Sequence, residues 1–161
     1  MQLTDFFPYR LAVTAESFSR HLVDVYQTDF GLTREEWRLL FLLADVDQIT
    51  SLELSKRTSL DKVQVSRAAD RLNKKGLITR ATPPEDRRLR LYSCTEKGHD
   101  LFATVHPLIR ARAASILDAM PDADRAALEQ GITALYAAIH KIDTQKPPER
   151  QSARFQTVIC C

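Results

Sequence analysis

The chain has 161 residues, 44% of them apolar and 27% charged, with a formal net charge of +2. That balance fits one soluble domain with a real core. No apolar run reaches the roughly 20 residues that a bilayer-spanning helix needs, and "MQLTDFFPYR" lacks the basic and apolar regions of a signal peptide. Three Cys, two of them adjacent at the C-terminus, make no disulfide framework, so a reducing cytoplasm is the expected compartment.

Helix dominates the periodicity. Leu11, Ala15, Phe18, Leu22, Val25 and Tyr26 recur at helical spacing and predict a first helix from about Pro8 to Thr28, with Pro8 in its first turn and Gly31 beyond its end. Thr33 and Glu36 have capping-box spacing and open a second helix carrying Trp37, Leu39, Leu40, Leu42 and Leu43. Thr50 and Glu53 repeat that spacing and open a brief third helix with Leu52 and Leu54 turned inward. After the turn "TSL", Asp61 caps a fourth helix with support from Gln64. Val65, Ala68, Ala69 and Leu72 form its inner stripe, Lys62, Gln64, Ser66, Arg67, Asp70, Arg71 and Lys74 face outward, and Gly76 ends it.

Period-two alternation in Leu77–Thr82 and again in Leu89–Cys94, around the turn "PPEDRR", predicts a β-hairpin with a charged tip. Thr95 caps a long helix with Phe102, Val105, Leu108, Ile109, Ile116 and Met120 on one face and Pro107 inside it. A last helix from about Asp122 to Asp143 carries Leu128, Ile132, Leu135 and Ile139 in a coiled-coil-like seam. The tail after it is polar and contains prolines.

Charge is concentrated in one part of this plan. From Lys56 to Arg90 there are eleven Lys/Arg against four Asp/Glu, a net +7, which leaves −5 for the rest of the chain. Such a block is the footprint of polyanion binding. Two short helices joined by a three-residue turn, the second basic outside, form a helix-turn-helix, and the charged hairpin after it makes the motif winged. A helix entering the major groove needs slender polar side chains for base edges and Arg or Lys for guanine and phosphate. A wing tip needs a guanidinium, because a narrow minor groove concentrates negative potential. The candidate DNA-contacting residues are therefore Ser51, Lys62, Gln64, Ser66, Arg67, Arg71 and Lys74, with Asp86, Arg87 and Arg88 at the tip.

The stretches "GLTREEWRLLFLL", "ELSKRTSLDKVQVSRAADRLNKKGLITR" and "PPEDRRLRLYSCTEKG", with the long helix that follows, resemble the MarR family of regulators from about Pro8 to Asp143. The Asp-x-Arg pattern of Asp86 and Arg88, followed by alternating strand residues and "TEKG", is the most specific part. Cys94 departs from the Leu usual there, and the tail is an addition. The resemblance implies a mainly α fold with a small β-hairpin wing and N- and C-terminal dimerisation helices. It divides the chain into an N-terminal dimerisation helix (1–30), a winged helix-turn-helix DNA-binding lobe (31–94), C-terminal dimerisation helices (95–143) and a polar tail (144–161). It also implies a homodimer on palindromic double-stranded operator DNA, with a small-molecule effector held between dimer base and DNA-binding lobe.

"PYRL…EWR" resembles a subgroup of regulators of aromatic-compound and hydroxycinnamate catabolism. That points to Tyr9, Arg10, Trp37, Arg38 and Phe41 as effector-binding residues. The function expected is a cytoplasmic repressor, released from DNA by a small aromatic carboxylate or acyl-CoA. A redox- or metal-responsive regulator on the same fold, or a winged-helix module for protein contacts, is the alternative. No nucleophile elbow, phosphate loop or metalloprotease motif is present, so neither catalysis nor a cofactor is expected. His99 and His106 lie seven apart without a carboxylate pair at ligand spacing, so no metal site is expected either.

Overall fold

The computed structural model describes residues 3–83 and 89–145. Helix α1 (Phe7–Thr28) is followed by α2 (Arg34–Leu43), strand β1 (Ile49–Thr50), α3 (Ser51–Thr58), α4 (Lys62–Lys74), strands β2 (Ile78–Ala81) and β3 (Leu91–Cys94), α5 (Glu96–Leu117) and α6 (Asp122–Gln145). Two compact units divide the chain, Met1–Ile116 and Leu117–Cys161. The first holds the core and the sheet, and the second holds α6. No helix among the described residues is long and apolar enough to cross a membrane.

Local chemistry sets the helix starts. Thr33 accepts the Glu36 backbone N–H while Glu36 accepts that of Thr33, a complete capping box at α2, and Asp61 with Gln64 forms the same reciprocal pair at α4. At α3 only half of the expected box is present: Thr50 accepts from the Glu53 N–H. The end of α4 is a Schellman motif. Gly76 adopts a left-handed φ of +72°, its N–H donates to the Asn73 carbonyl, and the Leu77 N–H reaches back to Leu72. Glycine is favoured there because a Cβ disfavours that backbone region.

Leu32, Leu39, Leu40, Leu43, Leu54, Val65, Leu72, Ile78 and Val105 are almost wholly buried in one cluster. Burial of each such side chain stabilises the fold by about 1.5–3 kcal/mol before entropy is subtracted. The inner stripe of α4 is as expected, since Val65, Ala68, Ala69 and Leu72 are all buried. Two expectations change. The sheet has three strands rather than two, in the order β1-β3-β2, because Ile49 and Thr50 pair antiparallel with Tyr92 and Leu91. Leu52 points outward, 53% exposed, while Leu54 is buried.

The N-terminal half of α1 is also more exposed than its periodicity suggested. Tyr26 alone in that helix is fully buried, while Tyr9, Leu11 and Val13 are exposed. The turn with Asp86, Arg87 and Arg88, expected to tip the wing, lies outside the described residues, as does the tail from residue 146; Thr144 and Gln145, expected to begin the tail, extend α6.

Close packing fixes how α5 leaves the sheet. The Thr95 hydroxyl accepts the Gly98 N–H at 3.0 Å, the capping role foreseen for it. A Cβ on Gly98 would overlap the Leu77 carbonyl oxygen and sit 2.6 Å from Cys94 Sγ. Only glycine lets α5 begin that close to β2 and β3.

Candidate nucleic-acid interface and effector cleft

The two ends of α4 differ. Its C-terminal end is tied to four other parts of the first unit. Glu36 of α2 is completely buried, and its carboxylate accepts from Arg71 Nε at 3.2 Å and Lys75 Nζ at 3.0 Å, besides the Thr33 backbone N–H at 2.7 Å. Arg71 also donates to the Thr33 hydroxyl at 3.2 Å and lies 4.0 Å from Glu35. Lys75 donates again to the Gly31 carbonyl at 2.8 Å. From α5, Lys97 Nζ donates to the Lys75 carbonyl and the Thr95 hydroxyl to the Gly76 carbonyl, both at 2.8 Å. Arg80 of β2 pairs with Asp70 at 2.9 Å. Together these bonds fix the direction of α4 against α2, β2 and the start of α5.

The outer face of its N-terminal two turns is largely untied among the described residues. Lys62, Ser66 and Arg67 are exposed and, among the described residues, make no hydrogen bond or ion pair within the fold. Gln64 is exposed but committed, because its Oε1 accepts the Asp61 N–H at 3.0 Å. The second lone pair of that oxygen and the amide N–H groups remain for a partner. Of the residues expected to face DNA, Lys62, Gln64, Ser66, Arg67 and Lys74 share the outer surface of α4, and Ser51 opens α3. Arg71 is held by Glu36 instead of standing free. Asp86, Arg87 and Arg88 are among the residues not described.

A second feature lies between α2 and α3. Trp37, Arg38, Phe41, Leu42, Arg57 and Thr58 line a cleft of about 290 Å³. Trp37, Arg38 and Phe41 were named from the sequence; Tyr9 and Arg10 stand on the exposed start of α1 and do not line it. Arg57 was missed, since nothing in "SKRT" distinguishes it from a solvated helix charge. Trp37 belongs to core and cleft at once. It stacks between Tyr26 at 5.8 Å and Phe102 at 5.6 Å, and Phe41 meets it edge-on at 6.1 Å. His106 continues the stack on Phe102 at 4.9 Å. These contacts, offset or edge-to-face, hold the aromatic wall rigid.

Cys94 is half-buried on β3 beside the Leu77 carbonyl, and burial pushes its thiol above the usual range. A thiolate is the reactive form, so this environment suits a packing role. Among the described residues, no three His, Cys, Asp or Glu gather into a group that would hold a metal ion.

Against known proteins, residues 30–89 match the family model described as MarR family. An uncharacterised HTH-type transcriptional regulator of Bacillus subtilis, YdgJ, is 33% identical over 70 residues, which is 44% of this chain and 43% of that protein. The chain thus aligns with less than half the length of this curated relative. A crystal structure of a MarR family regulator from Silicibacter pomeroyi superposes with a TM-score of 0.75 at 27% identity, covering 86% of this chain and 98% of the other. BpsR of Bordetella bronchiseptica, whose DNA binding is regulated by 6-hydroxynicotinic acid, shares the fold at a TM-score of 0.69 and 22% identity, covering 79% of this chain and 98% of the other.

Proposed function

We propose that the chain, which matches the MarR family model over residues 30–89, is a dimeric, sequence-specific DNA-binding repressor whose hold on its operator is released by a small aromatic carboxylate or acyl-CoA. The observation that carries this reading is the asymmetry of α4. A helix pinned at its C-terminal end, with free basic and hydroxyl side chains on its first two turns, is built to push that end into a major groove. Lys62 and Lys74 answer to phosphates, and Ser66 and Arg67 to base edges. By the resemblance to the wings of the family, Arg88, which lies outside the described residues, is assigned to the minor groove. Catalysis has no place in this reading.

Binding to a selected operator is expected to fall steeply with salt, each phosphate neutralised adding about 0.9 to the log–log slope. Arg67→Ala is expected to cost about 1–3 kcal/mol of operator affinity, the worth of a good base contact. Gel shifts across a salt series, with thermal unfolding as the control for folding, check both. A slope near zero, or a folded Arg67→Ala variant that binds like the parent, overturns the assignment.

The effector reading rests on the cleft. Two guanidinium groups, Arg38 and Arg57, flank an aromatic wall of Trp37 and Phe41. A planar ring fits such a wall, and a carboxylate or phosphate fits a guanidinium fork. The structurally similar BpsR responds to a ligand of this kind, an aromatic ring bearing a carboxylate. Hydroxybenzoates, hydroxycinnamates and their CoA esters are therefore expected to release operator DNA. Arg57→Ala is expected to raise the concentration needed about tenfold, equivalent to about 1.4 kcal/mol. If none releases DNA at millimolar concentration while peroxide or a metal ion does, the redox- or metal-responsive alternative takes its place.

A further inference from the structure

Val63, the second residue of α4, is 57% exposed. Every other apolar side chain of that helix faces the core: Val65, Ala68, Ala69 and Leu72 are buried. A β-branched residue on an exposed helical position is slightly unfavourable in itself, and no packing within the fold compensates for it here. Its neighbours give it a context. Positions i, i+3 and i+4 lie side by side on a helix, so Val63, Ser66 and Arg67 form one continuous patch. Both neighbours are exposed and have no hydrogen bond to the rest of the described fold. Gln64, which the sequence offered as a base reader, also accepts the Asp61 N–H. The free surface at the leading end of α4 therefore combines an isopropyl group, a hydroxyl and a guanidinium.

Resting on the reading that α4 enters a major groove, we propose that Val63 is a specificity-determining residue that recognises the 5-methyl group of a thymine. Thymine alone among the four bases presents a methyl in that groove, while the O6 and N7 of guanine present the acceptor pair that a guanidinium takes bidentately. Val63 and Arg67 are one helical turn apart, about 5.4–6 Å along the axis, against about 3.4 Å between stacked base pairs. The thymine read by Val63 thus lies one or two base pairs from the guanine read by Arg67. The patch favours DNA over a protein partner because cations surround its apolar centre: Lys62 precedes Val63 and Arg67 adjoins it.

The test uses the full-length protein and an operator that it selects from random-sequence duplex DNA. Each thymine of one half-site is then replaced singly by deoxyuridine, which removes the methyl and leaves the pairing edge intact. One position is expected to lose about fourfold in affinity, the value of one methyl withdrawn from apolar contact. Val63→Ser is expected to bind the thymine and uracil operators equally at that position, and Val63→Thr, which keeps one methyl, to retain part of the preference. Unchanged thermal unfolding of both variants shows that the fold is intact. Operator binding that tolerates uracil everywhere, or a Val63→Ser variant that keeps the full preference, overturns the inference and leaves DNA binding standing. Failure to enrich any sequence overturns the DNA-binding reading and the inference with it.

Discussion

Removing both cations from Glu36, as Arg71→Met with Lys75→Met, is expected to destabilise the protein by about 3–5 kcal/mol, the usual cost of leaving a buried charge without its partner. Glu36 is completely inaccessible, while the side chains of Arg71 and Lys75 are 42% and 38% exposed. That difference decides which partner matters more. Once its cations are gone, the carboxylate keeps the single Thr33 N–H and has no route to water. Glu36→Gln leaves two cations that can turn outward to solvent, and its amide oxygen can still serve the capping box. It should therefore cost less, about 1–3 kcal/mol. Lys74→Met, on an exposed position of the same helix, should change stability by no more than about 0.5 kcal/mol.

Denaturant titration separates the three by midpoint at constant m-value. If the double variant unfolds at the midpoint of Lys74→Met, the buried network contributes nothing. The same variants divide two roles for Arg71. Had it touched a phosphate, Arg71→Met would lower the salt slope of operator binding by about 0.9. If it acts through Glu36 alone, affinity falls with the slope unchanged.

This network was only half legible in the sequence, and the reason is chemical. The spacing of Thr33 and Glu36 announced a helix start, and the start is there. The same spacing does not reveal that the Glu36 side chain also meets residues 35 and 39 positions away. Gln64 repeats the lesson in reverse. Its spacing from Asp61 announces the cap, and its Oε1 is engaged there, while the second lone pair of that oxygen and the amide N–H groups stay open to a base. Where an element is long and its periodicity comes from side chains packing on one core, sequence and structure agree, as with the stripe from Val65 to Leu72.

Where an element is short, pattern fails. Ile49–Thr50 is two residues long, too few to alternate, and becomes a strand only because β3 offers it an edge. Leu52 and Leu54 are two apart on a helix and lie roughly opposite each other, so they could not both face inward. Arg57 took its place in the cleft from the fold alone, since the polar run around it reads like any solvated stretch of helix.

Placing aspartates at Ile132 and Ile139 of α6 is expected to convert the protein to a monomer and weaken operator binding by about 10²–10⁴-fold, the avidity lost when two linked recognition helices become one. The motive is the apolar face of that helix. Leu128, Ile132, Tyr136, Ile139 and Ile142 all stand exposed, Ile132 at 54% and Tyr136 at 64%. Single exposed apolar residues are ordinary, but a seam of five along one helix is the signature of a surface made to be covered. Leu128, Ile132, Leu135 and Ile139 recur at the 4-3-4 spacing that suits packing against a second helix, and a second copy of the chain is the occupant that our proposed function requires.

Two buried aspartates facing their counterparts across such a seam combine desolvation with like-charge repulsion. In a single exposed helix they cost little beyond their propensity. The loss should thus fall on association and spare the fold of one protomer. Sedimentation equilibrium reads the first and thermal unfolding of the first unit the second. A variant that remains dimeric removes α6 from the interface; a monomer that binds the full operator as tightly as the parent removes the dimer from the mechanism.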